Sequence, residues 1–120
     1  MPLGRPMADS TIIKVSSKTS PRGEMGQKHL ALGKGIAMRM WENEEPGGPQ
    51  DDTTRDYETA GFVVKGRAKL HLEGQTVLLE PGDSWIVARG AKHHYEVLET
   101  FTAVEATTPP AELKGRDAAS

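Results

Sequence analysis

Residues 57–94 read Tyr57-Glu58-Thr59-Ala60-Gly61-Phe62-Val63-Val64-Lys65-Gly66, Arg67-Ala68-Lys69-Leu70-His71-Leu72-Glu73-Gly74, Gln75-Thr76-Val77-Leu78-Leu79-Glu80-Pro81-Gly82, then Asp83-Ser84-Trp85-Ile86-Val87-Ala88-Arg89-Gly90 and Ala91-Lys92-His93-His94. Glycine recurs at Gly66, Gly74, Gly82 and Gly90, eight residues apart each time. The runs between are apolar and β-favouring, and too short for helices. Turn residues at this spacing predict an all-β sandwich or barrel of hairpins. Glycine suits such turns because it adopts positive φ without a Cβ clash.

Outward from this stretch, residues 11–15 form a short β-branched run that predicts an edge strand, and residues 16–28 are polar and turn-rich, a loop. Residues 29–33 predict one more short strand. Residues 35–41 alternate Ile36, Met38 and Met40 against Ala37, Arg39 and Trp41. That period of two predicts a strand with Ile36, Met38 and Met40 on its core face. Residues 42–56 predict a long acidic loop around Pro46-Gly47-Gly48-Pro49, either a solvated turn or a functional segment. Strands follow at 93–98 and 101–106, and Thr107-Thr108-Pro109-Pro110 ends regular structure because proline cannot donate to a ladder. The expected organisation is a disordered arm over 1–10, a β-barrel domain over 11–108 and a polar tail over 109–120, disordered or draped over a neighbouring subunit.

The chain has 120 residues, enough for one domain with a modest core. Fifteen basic residues against seventeen acidic ones give no field for nucleic acid. The absence of cysteine excludes disulfides, thiolate nucleophiles and sulfur-ligated zinc, and with no apolar span or signal core the expected location is cytoplasmic, with no membrane partner. No Gly-x-Ser-x-Gly elbow, phosphate loop or dinucleotide fingerprint occurs. In Val77-Leu78-Leu79 and Trp85-Ile86-Val87 both faces are apolar, which fits a two-sheet barrel packed against a second copy, with a homodimer as the default assembly.

The run Leu79-Glu80-Pro81-Gly82-Asp83-Ser84-Trp85-Ile86-Val87, followed by Gly90-Ala91-Lys92-His93 and preceded by Phe62-Val63-Val64-Lys65-Gly66, resembles the cupin family. The resemblance covers roughly residues 35–107. It implies a jelly-roll-like antiparallel β-barrel with a cavity between two sheets, commonly dimeric. It also implies a divalent metal (Mn, Fe, Ni, Cu or Zn) held by three histidines and a glutamate or glutamine. His93 matches the histidine of the second motif. The glutamate place, seven residues before Gly66, holds Thr59 beside Glu58, and the first-motif histidine pair is replaced by Asp51-Asp52-Thr53-Thr54-Arg55-Asp56. One family ligand of four is present. A weaker metal set is His93 with Asp52, Asp56 and Glu58, although Asp56 and Glu58 share a strand side that Thr59 does not.

The metal-free alternative uses Arg55, Thr59, His93 and Tyr95. His93 and Tyr95, two apart on a strand, share a face; with Arg55 they can hold a small anionic or hydroxylated ligand, and all three are candidate catalytic groups. The opposing reading makes His93 a satisfied, partly buried histidine. His29, His71 and His94 read as surface residues, Trp41 and Trp85 as core or dimer anchors, and Lys65, Arg67 and Lys69 as a solvated basic row. Three functions follow: a small-molecule-binding cupin with a degraded metal motif and no assigned reaction; a metal-dependent cupin enzyme of oxygenase or isomerase type built on His93 and carboxylates; or an interaction module working through the acidic loop.

Overall fold

The computed structural model describes residues 11–48 and 51–113 and contains eight strands and no helix among them. The strands are β1 (Lys28–Leu32), β2 (Ala37–Glu44), β3 (Glu58–Lys65), β4 (Ala68–Leu72), β5 (Gln75–Leu79), β6 (Ser84–Val87), β7 (His93–Val97) and β8 (Phe101–Thr108). They form a five-stranded sheet in the order β1-β2-β8-β3-β6 and a three-stranded sheet in the order β5-β4-β7, with every pairing antiparallel. The sheets are jelly-roll-like layers that do not join into a closed ring of strand pairings. The core lies between them, with Val63, Trp85, Val87, Phe101 and Ala103 from the larger sheet meeting Ala68, Leu70 and Leu79 from the smaller. No helix of the described residues is long and apolar enough to cross a membrane.

All four glycines of the eight-residue series have positive φ, between 81° and 92°. At Gly66 the requirement is double, because a Cβ would also run into the Thr100 carbonyl. The turns fall where the sequence places them, but the expected run of hairpins is corrected: only the Gly74 turn joins paired strands, β4 and β5, whereas the turns at Gly66, Gly82 and Gly90 carry the chain from one sheet to the other. Each strand from β3 to β6 turns one residue set inward: Thr59, Gly61 and Val63 on β3, Ala68 and Leu70 on β4, Leu79 on β5, and Trp85 and Val87 on β6.

Three further expectations are corrected. Residues 11–15 form no strand, and Ile12 is 93% exposed. The acidic loop begins later than Glu42, since β2 continues through Glu44 beyond an irregularity in its pairing with β8, where Asn43 takes φ 55°. The face of β2 is inverted: Ala37 and Arg39 are buried, whereas Ile36 and Met38 are exposed and Met40 is half-buried. The physical reason is that Arg39 finds a carboxylate partner inside, so the interior accepts the polar set of this strand and the apolar set faces out.

The arm over 1–10 and the tail beyond 113 lie outside the described residues. The described start of the tail is attached to the sheet: Ala111 is buried and donates its N–H to the Thr107 hydroxyl at 2.9 Å, and Glu112 pairs with His29 Nδ1 at 2.7 Å. His29 thus has an acidic neighbour supplied from the far end of the chain.

Candidate functional site

A cavity of about 240 Å³ opens between the sheets and is bordered by the segment after β2. Both tryptophans, both tyrosines and Phe101 line it, so of the six aromatic side chains only Phe62 lies elsewhere. Trp41 is accordingly a cavity wall. Trp85 is both wall and core, its ring passing over β3 at Gly61, where a Cβ would enter the indole. Register explains this, because Gly61 and Trp85 are directly paired across β3 and β6.

At the inner end, β2 and β8 bring Arg39 and Glu105 directly opposite each other. Arg39 Nε donates to Glu105 Oε1 at 2.8 Å, and the Trp41 indole N–H donates to the same oxygen at 2.9 Å. Arg39 Nη2 donates to the Tyr57 hydroxyl at 3.2 Å, and its guanidinium lies over the Trp41 and Tyr57 rings at 5.2 and 5.4 Å. Glu105 is 4% exposed. A charge this deep persists only when paired.

The opposite wall, β7 of the smaller sheet, carries His93 and Tyr95, and Trp85 reaches across to Tyr95 from β6 of the larger one. His93 is 8% exposed, and its Nδ1 lies 3.0 Å from the Ala91 carbonyl oxygen. A carbonyl only accepts, so Nδ1 carries a proton, and in the neutral form of the ring Nε2 is an acceptor. Nε2 has no hydrogen-bond partner among the described residues. The Tyr95 hydroxyl accepts from the Trp85 indole at 3.1 Å and retains its own O–H to donate. Burial first, and then the negative charge of Glu105, push the Tyr95 phenol far above its ordinary range, so it stays protonated. The His93 and Tyr95 rings meet edge to face, 5.6 Å apart. Thr59 faces them from β3, buried, with no hydrogen-bond partner for its hydroxyl among the described residues.

Of the ligand set expected from the sequence, Thr59, His93, Tyr95 and Arg55 all border the cavity. The carboxylates expected to join His93 in holding a metal do not. Asp52 is turned to His94 Nδ1 at 2.6 Å, Asp56 accepts from Arg89 Nε at 2.7 Å, and Glu58 is exposed on the outer side of β3. Asp52 is held there because Thr53 exchanges both backbone hydrogen bonds with His93, and the neighbouring side chain then points the other way. Among the described residues no three His, Cys, Asp or Glu side chains are grouped to hold a metal ion. Glu105, the one deeply buried carboxylate on the cavity, is already bound to a guanidinium. This donor set does not fit a divalent transition metal.

His94 and His71 are not free surface residues. Their rings stack 4.4 Å apart, His71 Nδ1 and Nε2 lie 2.8 and 3.3 Å from Thr76 and Glu96, and His94 borders the cavity mouth. The sequence reading missed Arg39, Glu105 and Tyr57. A signal was there: one glutamate inside the apolar run Phe101-Thr102-Ala103-Val104-Glu105-Ala106, and one arginine between two methionines, mark an internal pair.

Residues 40–106, more than half of the chain, match the family model of the cupin domain. The chain belongs to the cupin family. No curated protein sequence matches this cupin closely enough to count as a relative. Solved structures share its fold at low identity. An RmlC-like cupin from Shewanella frigidimarina is 13% identical with a TM-score of 0.74, over 85% of this chain and 95% of that one. KdgF from Halomonas sp. is 19% identical with a TM-score of 0.67, over 82% and 94%. Ectoine synthase from P. lautus is 18% identical with a TM-score of 0.60, over 70% and 63%. At such identities the likeness establishes the cupin fold and leaves the chemistry to this chain's own residues.

Proposed function

We propose that this cupin binds a small organic molecule in its cavity without a metal at the inner end. The observation that carries this is an aromatic-walled cavity into which buried groups bring unspent hydrogen-bonding capacity: His93 Nε2 as acceptor, Tyr95 O–H as donor and the Thr59 hydroxyl as either. Buried polar groups are ordinarily satisfied, so three unspent ones around one cavity fit a ligand bearing hydroxyl or amino groups. Arg55 borders the same cavity and is a fourth contact. At about 30 Å³ for each water, the volume corresponds to roughly eight waters, hence a ligand on the order of ten non-hydrogen atoms.

The test is ligand-observed NMR of aromatic and hydroxylated fragments against wild type, His93→Ala and Tyr95→Phe. Fragments that bind wild type and are lost in both variants, with melting temperatures little changed, support the reading. Binding that survives both substitutions, or a fall in melting temperature that accounts for the whole loss, defeats it.

A second copy packed on the outer face of the five-stranded sheet is also proposed. Along that face Met40, Val104 and Phe62 form one cross-strand row, and Met38, Ala106, Ala60 and Ile86 a second. Met38, Phe62 and Ile86 are 40%, 46% and 57% exposed. An apolar surface crossing four strands supports burial against an identical surface in a two-fold dimer.

A further inference from the structure

Resting on the cavity-binding reading, we infer that the ligand is a small organic cation, a protonated amine carried on an apolar or aromatic body. The charges on the cavity wall carry this. Four carboxylates, Glu44, Glu45, Asp51 and Glu105, stand against two guanidiniums, Arg39 and Arg55. Arg39 is neutralised by Glu105 at 2.8 Å. Among the lining residues, a ligand therefore meets Glu44, Glu45 and Asp51 against Arg55 at the mouth, a formal balance of minus two, with Arg22 acting on Glu44 from outside the lining. An entering anion faces that field and a cation is drawn by it.

The independent observations lie deeper. His93 Nε2, on a side chain more than nine-tenths buried that lines the cavity, has no partner among the described residues, and in the neutral ring it presents a lone pair to an ammonium N–H. The wall around it is aromatic, and ring faces attract cations. The cavity already hosts one organic cation in this manner, the Arg39 guanidinium over Trp41 and Tyr57 with Glu105 as counter-ion. Burial holds the Glu44 carboxyl above its ordinary range, opposed only by Arg22, and a bound ammonium would relieve that cost. The sign departs from the anion clamp expected from Arg55 in the sequence, because Glu44 at the end of β2 and Glu45 and Asp51 from the segment after it line the cavity with Arg55.

The experiment uses the full chain and three probes sharing one ring and differing in head charge: benzylammonium, benzyl alcohol and benzoate, titrated near neutral pH at low and high salt. Benzylammonium is expected to bind at least about tenfold tighter than benzoate, with benzyl alcohol between, and the gap should shrink with salt. Glu44→Gln/Glu45→Gln should weaken benzylammonium about three- to tenfold and leave benzyl alcohol unchanged. Benzoate binding as tightly as benzylammonium, with its affinity lost in Arg55→Ala, overturns the cation inference and leaves the cavity reading standing. Absence of binding by all three probes overturns both.

Discussion

Replacing Arg39 with methionine removes the cation from a buried pair and leaves Glu105, 4% exposed, with the Trp41 indole still donating to it. Stranding one member of such a pair costs about 3–5 kcal/mol. Glu105→Gln strands the guanidinium instead, at similar cost, softened by the Tyr57 hydroxyl and the two rings beneath Arg39. The double variant Arg39→Met/Glu105→Gln holds no unpaired charge and forfeits only hydrogen bonds, about 1–3 kcal/mol. The cycle therefore predicts a coupling of at least about 3 kcal/mol, with the double variant more stable than either single one. Urea unfolding followed by tryptophan fluorescence is the assay, since both tryptophans line the cavity. Whole-domain stability is about 5–15 kcal/mol, so an excluded osmolyte keeps the single variants within range. Single losses that add to within about 0.5 kcal/mol would refute the pairing, because independent sites add.

Three further outcomes are expected. Gly61→Ala drives a methyl into the Trp85 indole and should cost about 1–3 kcal/mol; an unchanged urea midpoint would mean that the ring does not lie over β3. Tyr95 has a folded-state pKa raised above its unfolded value near 10, so the unfolded chain loses this proton first and stability falls as pH rises past about 10. Tyr95→Phe should flatten that limb, and a wild type whose stability is level there would contradict the burial of the phenol. Phe62→Asp and Ile86→Asp should shift sedimentation from dimer to monomer without altering the circular dichroism, whereas a monomeric wild type at micromolar concentration would end the dimer proposal.

The fold was legible wherever local chemistry dictated it. Positive φ at Gly66, Gly74, Gly82 and Gly90 is a local demand, and the short apolar runs between them have no other secondary structure open to them. Which face of a strand turns inward is not local. Period two tells that Met38 and Met40 oppose Arg39 and Trp41, and says nothing of which set is inside when the outside is apolar as well. The site divides in the same way. His93, Tyr95 and Thr59 could be placed on the cavity side from alternation and motif spacing. Arg39 and Glu105 are 66 positions apart and meet only because β8 lies beside β2, a pairing that no window of the sequence displays. The carboxylate ligand set went astray at Thr53, where the loop pairs with His93 and turns Asp52 outward to His94.

The most direct test of a cavity that works without a metal is made on one sample. Tag-free protein is soaked in Mn, Fe, Ni, Cu and Zn and dialysed, its metals are counted per chain, and it is titrated with benzylammonium with and without chelator. A metal content near zero with an affinity that chelator does not change is the expected result. Near one equivalent of a single metal per chain, with binding abolished on its removal, would contradict the claim that Arg39 is the cation of this cavity.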